Sequence, residues 1–367
     1  MTITPPGEDL FDQPPMEPME LFGRVRSLTE SSGFSGVLPA VWQCSDESQG
    51  LKKALFGYVF DTPVFNLGRV GAILDPNRLE PASHHGKDLV ILGGSHIGGR
   101  EIDGFGCIER AHGKVAPCCG MLAKVLKEYL GLYRRAASLI TLRKRGGGTC
   151  ITIPYPYLLR KPAAAQPRLD LRLAVLVEGS ALEEGGQGKT YRLHPGLAAR
   201  FEPRLGSLGE APVPIGRLFQ GDLFRFVKKR DPDSLDPSSE VENSLFDFLP
   251  EVVSSRHPHR RLADMNTWWQ FHRLVYYLTN RFDGEDRNLL VLAGLTIDDS
   301  IRRNRFVPQF GFLMPNGSAI DARFYGPQEV NALLLGQKVI RPTKSFLDYA
   351  GVEEGAAGGG VLSVVEG

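Results

Sequence analysis

No apolar run in these 367 residues approaches the roughly 20 residues that a membrane-spanning helix needs. The chain also lacks an excess of either charge. Its 43 Lys plus Arg stand against 42 Asp plus Glu, so no global field recruits nucleic acid or an anionic membrane. The opening MTITPPGEDLFDQPPMEPME has neither the basic end and apolar core of a secretory signal nor the arginines of a transit peptide; the expected location is the cytoplasm. Cysteine is scarce and lopsided. All five (Cys44, Cys107, Cys118, Cys119 and Cys150) fall in the first 150 residues. In a reducing compartment, thiols gathered in one part of a chain suggest metal binding or thiol chemistry more than disulfides.

What is present organises around one stretch, SHHGKDLVILGGSHIGGREIDGFGCIERAHGKVAPCCGMLAKVL. It opens with His84 and His85, runs through a continuous apolar strand onto a glycine-rich turn bearing His96, and closes with Cys118 and Cys119. Upstream, GVLPAVWQ (36–43) reads as a strand ending at Cys44, with Pro39 favouring an early or edge position. SDESQGLKKALFGYVF (45–60) and GMLAKVLKEYLGLYRRAASLITLRKR (120–145) read as helices, the second with a basic end suited to the helix dipole. KDLVILGGSH (87–96) and RNLLVLAGLTID (287–298) read as strands buried on both faces. They match in pattern, as two halves of a degenerate duplication would. TWWQFHRLVYYLTNRF (267–282) reads as an aromatic-rich helix. Alternating strands and helices with glycine turns predict an α/β fold with a mostly parallel β-sheet flanked by helices, whose ligands bind beyond the C-terminal strand ends.

Cys44 and His96 both fall at such ends. Zinc favours thiolate sulfur and imidazole nitrogen, and a catalytic zinc keeps one position for water. Cys44, His96 and Cys119 would supply two thiolates and one imidazole, with Cys118 an adjacent alternative. Cys119, just before a helix, is placed to exist as thiolate. Asp46 follows Cys44 by two residues, as an N-cap or as an acceptor beside the metal. Arg69 in LGRVG is the cation expected to hold it, with Arg110 as substitute. His84 and His85 suit a structural or pocket-rim role, and His112 a loop position. Phe65 and Leu67 would supply a dry, apolar pocket.

C-x-D after a strand, then a later His and a Cys-Gly at a helix start, resembles the β-carbonic anhydrases. The finer resemblance is to the limiting-CO2-inducible protein B/C (LCIB, theta-type) family, through CSDE, LGRVG, SHH, GGSHIG and PCCGML, over roughly residues 36–145. Two departures from the β-class pattern, Ser48 where it has Arg and 23 positions between His96 and Cys119, favour that narrower family. The resemblance implies Zn2+ on Cys44, His96 and Cys119, with Asp46 and Arg69 as a dyad. It implies reversible hydration of carbon dioxide to bicarbonate by a zinc-bound hydroxide, in a homodimer. The alternatives are a catalytically silent zinc scaffold responsive to bicarbonate, and a thiol enzyme using Cys119 as nucleophile. The expected organisation is an N-terminal arm (1–30), a zinc-binding core (31–160), a C-terminal α/β portion (161–350) that completes the sheet or forms a second domain, and a Gly-rich tail (351–367).

Overall fold

The computed structural model describes residues 13–79, 88–110, 113–159, 164–205, 211–231, 234, 236–337 and 344–345. His84, His85, His112, residues 1–12 of the arm and the 351–367 tail lie outside them. The chain divides into two compact units. One comprises residues up to Ile102, Gly106–Cys119 and Ala263 onward; the other comprises Asp103–Phe105 and Gly120–Leu262.

The first unit is built on an eight-stranded sheet: β1 (Leu38–Trp42), β2 (Phe65–Asn66), β3 (Leu89–Gly93), β4 (His96–Gly98), β5 (Leu289–Ser300), β6 (Arg303–Met314), β7 (Arg323–Tyr325) and β8 (Lys344–Ser345). Their order is β8-β7-β6-β5-β3-β1-β2, with β4 also on β5. The pairings β1–β2, β1–β3, β3–β5 and β4–β5 are parallel, whereas β5–β6, β6–β7 and β7–β8 are antiparallel. The sheet is therefore mixed rather than mostly parallel, because the C-terminal strands are added antiparallel, β6 turning straight back on β5. Pro39, lacking an N–H, sits ahead of the Ala40–Phe65 and Val41–Asn66 pairs.

The two look-alike segments are neighbours. Leu89 to Gly93 pair in register with Leu289 to Ala293. Their continuous apolar character follows from burial on both faces. Leu89, Ile91, Leu289 and Val291 pack with Phe271, Leu274, Leu278 and Phe282 of the helix Pro258–Phe282. Val90, Leu92, Leu290 and Leu292 pack with Leu21, Phe22, Phe56 and Val330 from the helices Pro18–Ser31, Gly50–Phe60 and Pro327–Leu334. Burying each large side chain contributes about 1.5–3 kcal/mol.

The second unit holds the helix Gly120–Leu139, a five-stranded antiparallel sheet and an aromatic core of Tyr129, Tyr133, Phe219, Phe224 and Phe226. The helix predicted through residue 145 stops at Leu139, and Thr141–Arg145 is a strand paired with Gly148–Pro154. Gly146 and Gly147, both at positive φ, make the hairpin turn that takes these residues out of the helix.

Glycine is obligatory where β3 leaves the sheet. Gly94 has φ of 137°, and a Cβ there would lie 1.8 Å from the Gly294 carbonyl oxygen. Gly94→Ala combines a forbidden backbone conformation with a backbone clash, and the expected loss is more than about 3 kcal/mol. Urea unfolding measures it; a change below about 1 kcal/mol would contradict this packing.

Candidate metal centre

Three chain segments meet beyond the C-terminal ends of β1 and β3. β1 and β3 are parallel and in register from Leu38–Leu89 to Trp42–Gly93, so both end on the same side. Cys44 follows β1 by two residues, and His96 opens β4 after the turn at Gly93 and Gly94. Cys119 arrives by backbone pairing: its N–H donates to the His96 carbonyl at 3.1 Å, and Gly98 N–H donates to the Cys118 carbonyl at 2.9 Å. The hairpin of Phe105–Glu109 with Val115–Pro117 turns the chain back. A gap of 23 positions in sequence is closed by this hairpin.

Cys44, His96 and Cys119 are all buried, and their ligand atoms lie within 4.8 Å of one another. The Cys44 and Cys119 sulfurs are 3.6 Å apart, and neither residue is in a disulfide. Two thiolates at about 2.3 Å from one tetrahedral zinc would be roughly 3.8 Å apart. His96 Nδ1 is 2.8 Å from Asp298 Oδ2, whereas Nε2 is buried with no hydrogen-bond partner among the described residues. An orphaned imidazole nitrogen beside two sulfurs is what a soft or borderline divalent metal fits. The Gly71 N–H donates to Cys44 Sγ at 3.2 Å.

Asp298 is the residue that motif spacing missed. It has no exposed surface. Besides His96, its Oδ2 accepts from Ser48 Oγ at 2.8 Å, Gln49 Nε2 at 3.0 Å and Cys118 Sγ at 3.3 Å. A carboxylate on the outer nitrogen fixes the ring and leaves Nε2 for the ligand position. Cys118 therefore sits behind His96 with Asp298, and Cys119 sits with Cys44. The signal in the sequence was slight: an Asp at the end of a buried strand.

Asp46 caps the turn Glu47–Gln49 by accepting from Ser48 N–H at 3.1 Å. Its cation is Arg110, whose Nη1 and Nη2 donate to Oδ1 and Oδ2 at 3.0 and 3.2 Å. Arg110 Nη1 also reaches Glu47 at 2.6 Å. The structure places Arg69 differently: its guanidinium pairs with Asp75 at 3.9 Å. Asp46, His96 and Cys118 form a second, overlapping group within 4.8 Å. Leu67 is buried in the core cluster and Phe65 packs against it.

Electrostatics follow this geometry. Burial pushes Asp46 up, but the Arg110 and Ser48 hydrogen bonds outweigh it and hold the carboxyl below its usual range. The Cys44–Cys119 pair shares a proton: the hydrogen bond lowers Cys44 and raises Cys119. For His96, burial opposes the charged ring, yet Asp298 and the three sulfurs raise it well above its usual value. A metal must displace these protons, so its affinity rises with pH.

Lys52, from the helix Gly50–Phe60, is another buried group. Its ammonium donates to Thr296 Oγ1 and lies 5.3 Å from the Phe306 ring centre. Burial pulls it down to about 7, against attraction by Asp298.

The site thus defines a mixed α/β protein with a buried two-thiol, one-imidazole cluster beside an arginine-held carboxylate. No protein-family model and no curated protein matches the chain. Among solved structures, the chain is similar to the crystal structure of PtLCIB4, a homolog of the limiting CO2-inducible protein LCIB, at TM-score 0.46 and 12% identity, over 85% of this chain and 94% of that one. It is also similar to limiting CO2-inducible protein LCIB, at TM-score 0.40 and 14% identity, over 86% of this chain and 96% of that one. No helix among the described residues is long and apolar enough to cross a membrane.

Asp298→Asn keeps the shape and removes the charge behind His96. Zinc affinity, measured by chelator competition, is expected to fall about 10–100-fold; an unchanged value would remove Asp298 from this role. Lys52 yields a pH prediction. Between about 7 and the ordinary 10.5, the unfolded chain holds a proton on Lys52 that the folded protein has lost. Stability therefore rises with pH across that window, by on the order of a few kcal/mol, and the full penalty applies below it. Urea midpoints measured through the window should climb for the wild type and be flatter for Lys52→Met. Equal slopes would refute the assignment.

Proposed function

We propose that this chain is a zinc-dependent carbonic anhydrase, interconverting carbon dioxide and bicarbonate. The observation that carries the reading is the convergence of Cys44, Cys119 and the unpartnered His96 Nε2 beside a carboxylate held at both oxygens by Arg110. The ordered motifs CSDE, GGSHIG and PCCGML support it, since they bring these residue types in the family's order.

Cys44, His96 and Cys119 would hold the ion. Zinc in such a site lowers the pKa of a water toward neutrality and so provides a nucleophile at physiological pH. The protein's own part is orientation. Asp46, kept ionised by Arg110 and tied to the Ser48 amide, accepts a hydrogen bond and turns the nucleophile's lone pair toward carbon dioxide. Arg110, fixed through both nitrogens, prevents Asp46 from swinging onto the metal. Asp298 holds the imidazole, and Ser48 and Gln49 hold Asp298.

A silent zinc scaffold is the second reading. It is favoured by the group of Asp46, His96 and Cys118, which lets the carboxylate reach the same neighbourhood. The resemblance also implies a homodimer, which light scattering tests.

Metal analysis of the purified protein should find about one zinc per chain, lost in Cys44→Ser. Stopped-flow hydration should be abolished by chelation. Asp46→Asn and Arg110→Ala should each retain zinc and lose about 100-fold or more in kcat. Full zinc with no turnover in the wild type would replace the enzyme reading with the scaffold.

A further inference from the structure

The helix Pro258–Phe282 carries four fully buried polar side chains near the metal centre, and the proposed chemistry uses none of them: Asp264, Asn266, Thr267 and Gln270. Three point at the loops that bear the ligands. Asn266 Nδ2 donates to the Gly71 carbonyl at 2.9 Å and to Ser95 Oγ at 2.9 Å. The orientation of its amide is settled chemically, because the Gly71 carbonyl can only accept. Thr267 Oγ1 accepts from the Ser95 N–H at 2.8 Å and donates to the Ala263 carbonyl at 2.9 Å. Gln270 Oε1 accepts from the Leu74 N–H at 3.1 Å.

These bonds end one step from the ligands. Gly71 is the residue whose N–H donates to Cys44 Sγ, and Ser95 immediately precedes His96. Asn266 therefore spans the loop that sets the Cys44 sulfur and the turn that sets the imidazole. Resting on the metal-site reading above, we propose that Asn266 is a positioning residue that clamps the Cys44 and His96 segments at the separation the metal requires, with Thr267 and Gln270 holding the same two loops. Deleting a donor here leaves a buried carbonyl unpaired, and the Gly71 loop then relaxes away from Cys44. Ligand atoms misplaced by about 1 Å forfeit much of a site's affinity.

The test titrates cobalt(II) into metal-free, full-length wild type and the variants Asn266→Asp, Ser95→Ala and Thr279→Ala. Cobalt on thiolates gives a charge-transfer band and visible bands whose shape reports geometry. Asn266→Asp, which keeps the volume but turns an acceptor toward the Gly71 carbonyl, should bind cobalt about 10–100-fold more weakly and with altered bands. Ser95→Ala removes one leg only and should cost roughly 3–10-fold. Among the described residues Thr279 bonds only within its own helix, to the Val275 and Tyr276 carbonyls. Its alanine variant should lower the unfolding midpoint while leaving cobalt affinity and spectrum unchanged. Wild-type affinity and bands in Asn266→Asp would overturn the clamp alone. Should that variant fail to fold, wild-type behaviour in Ser95→Ala would overturn it. A wild type that takes up no cobalt would overturn the metal-site reading and the clamp together.

Discussion

The bond between His96 Nδ1 and Asp298 Oδ2 is the constraint on which the rest of the site depends. An imidazole ring can turn about its Cβ, and an unheld ring would offer either nitrogen to solvent, sulfur or metal. A carboxylate with no exposed surface fixes one nitrogen and thereby defines the other. Asp298 can do this only because it is itself held by Ser48, Gln49 and Cys118, which leaves it little freedom to follow the ring. The sheet supplies this arrangement directly. β4 and β5 run parallel with Thr296 opposite His96 and Asp298 opposite Gly98, so the carboxylate projects from the strand beside its target.

Chain connectivity explains why no compact motif announces the site. The sulfurs come from the end of β1 and from the close of a hairpin that leaves after β4 and returns to it. That excursion does two jobs. It delivers Cys119 to the His96 carbonyl, and it places Arg110 at the hairpin turn, where Arg110 N–H bonds the Lys114 carbonyl. Gly98 and Gly106 let the two backbones pass closely, since a Cβ on Gly98 would fall 2.2 Å from the Cys107 backbone. The distance of 23 positions between His96 and Cys119 is the length of this loop out and back.

The legible parts of the sequence were those governed by local physics. A continuous apolar run had to be a strand buried on both faces, and β3 and β5 are such strands. Cys44 and His96 at strand ends, and Cys119 at a helix start, were expected to converge, and their ligand atoms lie within 4.8 Å of one another. The remainder depends on contacts between residues far apart in the chain. Asp298 lies 202 positions from His96, and nothing in its neighbourhood distinguishes it from a surface aspartate following a strand. Arg69 and Arg110 were equivalent as charges; only the hairpin register selects Arg110 for Asp46. Lys52 stands beside Lys53 in a helix of mixed pattern, and only packing against Thr296 and Phe306 tells them apart. The antiparallel half of the sheet was likewise hidden, because a buried strand reads the same whichever way its neighbour runs.

Charge balance makes the buried arrangement tenable. A divalent ion in the proposed site would be balanced by the two thiolates that hold it. Asp46 and Arg110 cancel as a bidentate pair near the surface. Asp298 and Lys52 are two further ionisable side chains out of reach of solvent, and a charge on either is costly alone. Attraction by Asp298 acts through a low-dielectric interior and partly offsets the penalty at Lys52, although burial still dominates there. A leucine or methionine at position 52 would pack more cheaply. The lysine is held by Thr296, on the strand that also carries Asp298, so its charge answers to that strand as well as to the helix in which it is written.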